Sequence, residues 1–217
     1  DLADPSHVGA YPVVVAVMDR HRRMRFGTWT YNEDGQGLIP GDIQRDGYML
    51  AINGPQGLPR PGALKRLCEE HLQELSPRSA KGGLRGHLEA SPDGSVKLFS
   101  VLRKELNRCG LHVLGEGPQE RCALIEVDPD HLYMRLLGKM PAKKITQQGR
   151  RQRYDLLRGL GIELPLDAQA ITHDQLDAAA AAYGAYLWAT GQARRVGEAP
   201  FWDEAAGVLR EGWIITV

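Results

Sequence analysis

Apolar, β-branched residues crowd 12–18 (Pro-Val-Val-Val-Ala-Val-Met), and aromatics alternate with threonine over 25–31 (Arg-Phe-Gly-Thr-Trp-Thr-Tyr). The polar run Asp19 to Arg23 between them predicts a β-hairpin. Residues 32–47 are turn-rich, with a short helix expected around 39–46. Tyr48–Ile52 is a compact apolar run that reads as a buried strand, ending in a rigid loop, Asn53–Pro59. Leu64, Leu67, Cys68, His71, Leu72 and Leu75 give 62–75 a helical period. Residues 76–94 hold Pro, Gly and Ser without period and predict a long loop, a length that points to function or mobility. Helical spacing returns over 95–109 through Val96, Phe99, Leu102 and Leu106. Arg121–Val127 is a second buried-strand candidate. Short and long helices follow at 130–137 and 146–160, the latter ended by Gly159 and Gly161. Thr172 and Gln175 have capping-box spacing and open a further helix, rich in alanine over 178–182 and running to Trp188. The tail 212–217 reads as a terminal strand. Strands first, then strands alternating with helices, predict an α/β or mixed α+β chain with one central sheet and a single domain.

Length and composition fit that reading. The chain of 217 residues is 42% hydrophobic and 25% charged, which suits one domain with a real core. Its formal net charge is zero, so nucleic acid could be held only by a local basic patch. Cys68, Cys109 and Cys122 are odd in number and form no CxxC pair, which points away from disulfides or zinc and toward a reducing cytoplasm. No apolar run approaches a bilayer span, and no signal peptide is visible.

The first chemical candidate is the start of the alanine-rich helix, His173-Asp-Gln-Leu-Asp177. Asp174 and Asp177 are three apart and share a helix face. Adjacent carboxylates repel unless a cation lies between them, and oxygen ligands suit Mg²⁺ or Mn²⁺. Equally, both acids could be solvated groups favoured by the helix dipole. His173 could shuttle protons or simply stand as a polar residue at a helix start. In open α/β sheets sites form beyond the carboxyl ends of strands, which brings in Asn53 and Glu126. Asn53 could instead cap its turn, and Glu126 could face outward from an edge strand. Lys139, Lys143, Lys144, Arg150, Arg151 and Arg153 form a run without an acid that could grip phosphates, or a solvated face paired with acids such as Asp155. No P-loop, dinucleotide fingerprint, nucleophile elbow or HExxH occurs.

Ordered motifs from about residue 48 to the C-terminus resemble a known family. They are Ala51–Pro59, Arg66 with Cys68-Glu69, Ile125-Glu-Val-Asp-Pro129, Lys143–Arg153, Gly161–Pro165, His173–Ala178 and Glu211–Ile215. The chain resembles domain-of-unknown-function family 429, predicted nucleases of the RNase H-like superfamily. Asp174-x-x-Asp177-Ala178 is also similar to the last catalytic helix of Holliday-junction resolvases of the RuvC type. The resemblance implies an RNase H-like fold, a central mixed sheet flanked by helices. It implies a carboxylate-bound Mg²⁺ or Mn²⁺ site from Asp1, Glu126, Asp174 and Asp177, with Asn53 as a further ligand. Relatives open on a strand ending Asp-Leu-Ala, so Asp1-Leu2-Ala3 is read as the end of a first strand lost before Asp1. Many relatives carry Asp where this chain has Asn53, which removes a charge from the expected set.

The implied reaction is metal-dependent hydrolysis of a phosphodiester, with Lys143, Lys144, Arg150, Arg153 and Arg66 holding nucleic-acid phosphates. Two other readings stay open. One is an RNase H-like binding module without catalysis, which Asn53 favours. The other is a hydrolase or phosphotransferase for a small phosphorylated metabolite, which the zero net charge suits. The terminal strand could pair within its own sheet or with a second copy of the chain.

Overall fold

The computed structural model describes residues 11–31, 49–75, 102–108, 110–117 and 122–217. The expected hairpin is present. β1 (Tyr11–Met18) pairs antiparallel with β2 (Met24–Tyr31), Met18 opposite Met24. Asp19 closes the turn by accepting the His21 and Arg23 backbone N–H groups at 2.8 and 3.0 Å.

A separate five-stranded sheet follows: β3 (Leu50–Ile52), β4 (His112–Val113), β5 (Cys122–Val127), β6 (Arg194–Asp203) and β7 (Val208–Thr216). Its order is β3-β5-β7-β6, with β4 also on β5. β3, β4 and β7 run parallel to β5, and β6 runs antiparallel to β7. The helices are α1 (Leu67–Leu75), α2 (Pro129–Leu137), α3 (Gln147–Gly159) and α4 (His173–Ala189). Residues 102–108 are also helical. The molecule is thus a mixed α/β protein with a mixed sheet flanked by helices. Among the described residues, no helix is long and apolar enough to cross a membrane.

The sheet's two faces follow the period-2 alternation of its strands. Ile125 and Val127 of β5 and Ile215 of β7 enter the main core with Leu176, Ala179 and Ala180 of α4. One residue out of step, Leu124 and Ile214 turn to smaller clusters that hold Leu106, Cys68 and Leu72. The alanines give α4 the thin face that close packing needs. Gly184 extends it, since a Cβ there would lie 2.9 Å from a Val127 methyl.

Four expectations change. The 62–75 helix begins only at Leu67, because Gly62 takes a left-handed φ of 81° and Arg66 is drawn into the interior. β6 went unrecognised in the sequence. It carries Pro200, Gly197 and charges in place of an apolar alternation, a composition compatible with a strand paired on one side only. The tail strand is longer than expected and lies between β5 and β6, so it pairs within its own sheet. β5 is flanked by β3 and β7, so Glu126 is on no edge. The helix expected at 39–46, the loop 76–94 and the first helical positions after 95 lie outside the described residues, as does Asp1.

Candidate functional site

Among the described residues, charge is buried at two places, one on each face of the sheet. On the α1 face, Arg66 is fully buried. Its Nη1 and Nη2 donate to Glu126 Oε2 and Oε1 at 2.8 and 2.6 Å, and its Nε donates to Glu69 Oε1 at 2.8 Å. The Gln56 backbone N–H completes the shell of Glu126 at 2.9 Å. Burial pushes the Glu126 carboxyl above its ordinary range, and Arg66 opposes that shift. Burial also works against the Arg66 charge, but Glu126 and the neighbouring acidic groups hold its pKa well above normal. Glu211, also buried, accepts the Leu67 N–H at 2.8 Å and so caps α1. It does so from a left-handed φ of 60°.

The resemblance made Glu126 a metal ligand and Arg66 a phosphate contact. In the structure both are used on each other. Glu126 is in phase with Leu124, away from α4, so the sheet separates it from Asp174 and Asp177. Arg66 presents no donor to solvent.

The second place lies at the start of α4. Thr172 accepts the Gln175 N–H and Gln175 returns a bond to the Thr172 N–H, the capping box expected from the sequence. This fixes the first turn, which carries Asp174; Asp177, one turn further on, is 2% exposed. Its Oδ2 accepts the Lys144 ammonium at 2.7 Å, and its Oδ1 is buried without a hydrogen-bond partner. Asp174 Oδ1 lies 2.7 Å from His173 Nδ1, in a geometry that aligns no hydrogen bond, and is likewise unpartnered. Burial raises the Asp177 carboxyl, against the pull of Lys144. Burial opposes the Lys144 charge, but Asp177 outweighs it and the ammonium is stabilised.

The wall of this site comes from α2 and α3. Tyr133 donates to the Leu176 carbonyl at 2.7 Å. Arg153 is buried over the Tyr133 ring and donates to Asp130, Ala142 and Gly149. Arg153 was expected to face phosphate; it is a wall brace instead. Lys143 is exposed, while Arg150 is half-buried with Nη1 on the Ile145 carbonyl. Asn53 is half-buried directly after β3, whose Ile52 stands opposite Glu126. Among the described residues, no group of three or more His, Cys, Asp or Glu converges to hold a metal.

The structure therefore joins Asp174, Asp177 and Lys144, and leaves Glu126, Arg66 and Arg153 elsewhere. Sequence reasoning missed Asp130, Tyr133 and Gln56. Only Gln56 carried a signal, lying inside the quoted Ala51–Pro59 motif.

The profile of the family described as "Protein of unknown function (DUF429)" matches residues 13–200, most of the chain. The chain belongs to this family. No curated protein and no solved structure matches it.

Proposed function

We propose that this DUF429 protein is an RNase H-like, divalent-metal-dependent hydrolase of phosphodiesters, with Asp174 and Asp177 as its ligands. The unpartnered Asp177 Oδ1 carries this reading. A buried, charged oxygen without a partner is costly, and a hard cation satisfies it. Asp174 Oδ1, one turn earlier on the same helix face and without a hydrogen bond, fits the same ion. Glu126 does not fit, because Arg66 and Gln56 already occupy both its oxygens. When bound, Mg²⁺ or Mn²⁺ supplies Lewis-acid polarisation of a phosphoryl oxygen.

The chain's own groups do the rest. Lys143 and Arg150 attract the substrate's phosphates from the neighbouring surface. His173, partly exposed beside Asp174, can carry a proton between solvent and the leaving oxygen. In the net reaction water forms a P–O bond, the ester P–O bond breaks, and the leaving oxygen takes a proton.

The full chain, given Mn²⁺ or Mg²⁺, is assayed against single-stranded and structured oligonucleotides and a panel of phosphorylated metabolites. Metal-dependent cleavage of oligonucleotides, lost in Asp177→Asn, supports the reading. Turnover of a metabolite alone would move it to the small-molecule class. The Arg66 clamp on Glu126, together with the uncharged Asn53, favours a second reading, a binding module without catalysis. No cleavage, with calorimetric binding of a phosphate ligand in the absence of metal, would establish that one.

A further inference from the structure

Lys144 projects from a turn whose backbone is pinned. The Thr146 N–H and hydroxyl both donate to the Lys143 carbonyl, and Thr146 Oγ1 accepts the Gly149 N–H. Ala142 is tied to Gln152 and Arg153. Gly149 is needed for this closure: a Cβ there would collide with the Lys143 carbonyl oxygen. The ammonium thus reaches Asp177 from a fixed root, while its side chain stays 29% exposed. Asp177 divides its oxygens. Oδ2 holds the lysine and Oδ1 is left over.

Resting on the metal-dependent reading above, we propose that Lys144 supplies the second positive charge of this site, so that the protein works with one divalent ion and a lysine in place of two ions. Charge supports this. Among the described residues, two carboxylates and one ammonium leave a single negative charge. One divalent ion makes the site singly positive, which suits a phosphoester gaining negative charge. A second ion would make it triply positive at short range, where like charges repel strongly. Asp130, whose charge also reaches Lys144 and Asp177, is offset by its ion pair with Arg153. An ammonium on a pinned turn also acts as a point charge with its orientation prepared in advance.

The test measures Mn²⁺ binding without substrate, by electron paramagnetic resonance and calorimetry, in the parent chain, Lys144→Gln and Lys144→Arg. Oligonucleotide cleavage is measured at saturating Mn²⁺. The parent and Lys144→Arg should bind one ion per chain. Lys144→Gln frees Asp177 Oδ2, so it should bind Mn²⁺ at least about tenfold tighter or take up a second ion. Its kcat should nevertheless fall by about a hundredfold, with KM little changed, and Lys144→Arg should recover most of that loss. Two ions in the parent chain, or Lys144→Gln with unchanged affinity and kcat, would overturn the inference alone. Weaker Mn²⁺ binding in Lys144→Gln would overturn it in favour of a structural lysine. A parent chain that neither binds Mn²⁺ nor cleaves overturns the metal-dependent reading and this inference with it.

Discussion

Arg66 with Glu126 and Lys144 with Asp177 are both buried acids paired to a cation, yet they are built for different ends. Arg66 offers a planar fork, and each of its three guanidinium nitrogens has a carboxylate oxygen. The group is fully buried, so no ligand reaches it. Lys144 places its ammonium on Asp177 Oδ2, is partly exposed, and leaves Asp177 Oδ1 unpartnered. A saturated pair holds structure, since its value lies in not leaving buried charge uncompensated. An unsaturated pair beside the surface is where a ligand gains most. The two pairs stand on opposite faces of one sheet, so they can be perturbed separately.

The largest expected effect is on the saturated pair. Arg66→Ala should destabilise the chain by about 3–5 kcal/mol, because Glu126 and Glu69 stay buried without their cation. Denaturant unfolding measures it, and a loss below about 1 kcal/mol would show that the clamp is not structural. Next comes Asp177→Asn. It should lower Mn²⁺ affinity by about a hundredfold or more, beyond what outer-shell partners contribute, while the unfolding midpoint moves little. If the midpoint collapses instead, Asp177 belongs with Arg66 as a structural group and the contrast fails.

A third test uses pH. Asp128 caps α2 by accepting the His131 N–H at 3.0 Å, and burial holds its carboxyl at about 6 against an ordinary 3.8. The folded chain thus binds that proton more tightly than the unfolded one. The associated stability is fully present below about pH 4 and lost as pH rises to about 6. Asparagine caps a helix about as well as aspartate but does not titrate. Asp128→Asn should therefore gain stability over the parent progressively across this window, as thermal melts at stepped pH would read. A constant difference would mean that the carboxyl is not shifted. The smallest effect is expected from Thr172→Ala, which opens the capping box of α4 at a cost of about 1 kcal/mol. Because that turn carries Asp174 and leads into Asp177, Mn²⁺ affinity should fall with it; affinity unchanged at equal loss of stability would show that the cap does not order the site.

Much of this was legible in the residues. The hairpin, the β3 and β5 strands and the α4 capping box follow from local alternation and spacing, which depend on neighbours in sequence. β6 was not legible, because it pairs through its backbone to β7 and needs no apolar pattern of its own. The Asp174 and Asp177 pair was visible as an i, i+3 spacing. The fate of Glu126 was not, because strand alternation tells that Leu124 and Glu126 share a face but not which helix covers it. Arg66 was noted as a cation. Its burial depends on two acids, Glu69 close in sequence and Glu126 sixty residues away, and only the second decides that it cannot meet a substrate. Lys144 was read within a basic run. Its difference from Lys143 and Arg153 comes from the turn at Gly149, which aims one cation of that run at Asp177.

The most direct measurement is a crystal of the full chain soaked in Mn²⁺ and read by anomalous scattering. One ion per chain is expected, within about 2.0–2.4 Å of Asp177 Oδ1 and an Asp174 oxygen, with the Lys144 ammonium still on Asp177 Oδ2 and none at Glu126. An ion bound at Glu126, or no ion near α4, would contradict the assignment of the site.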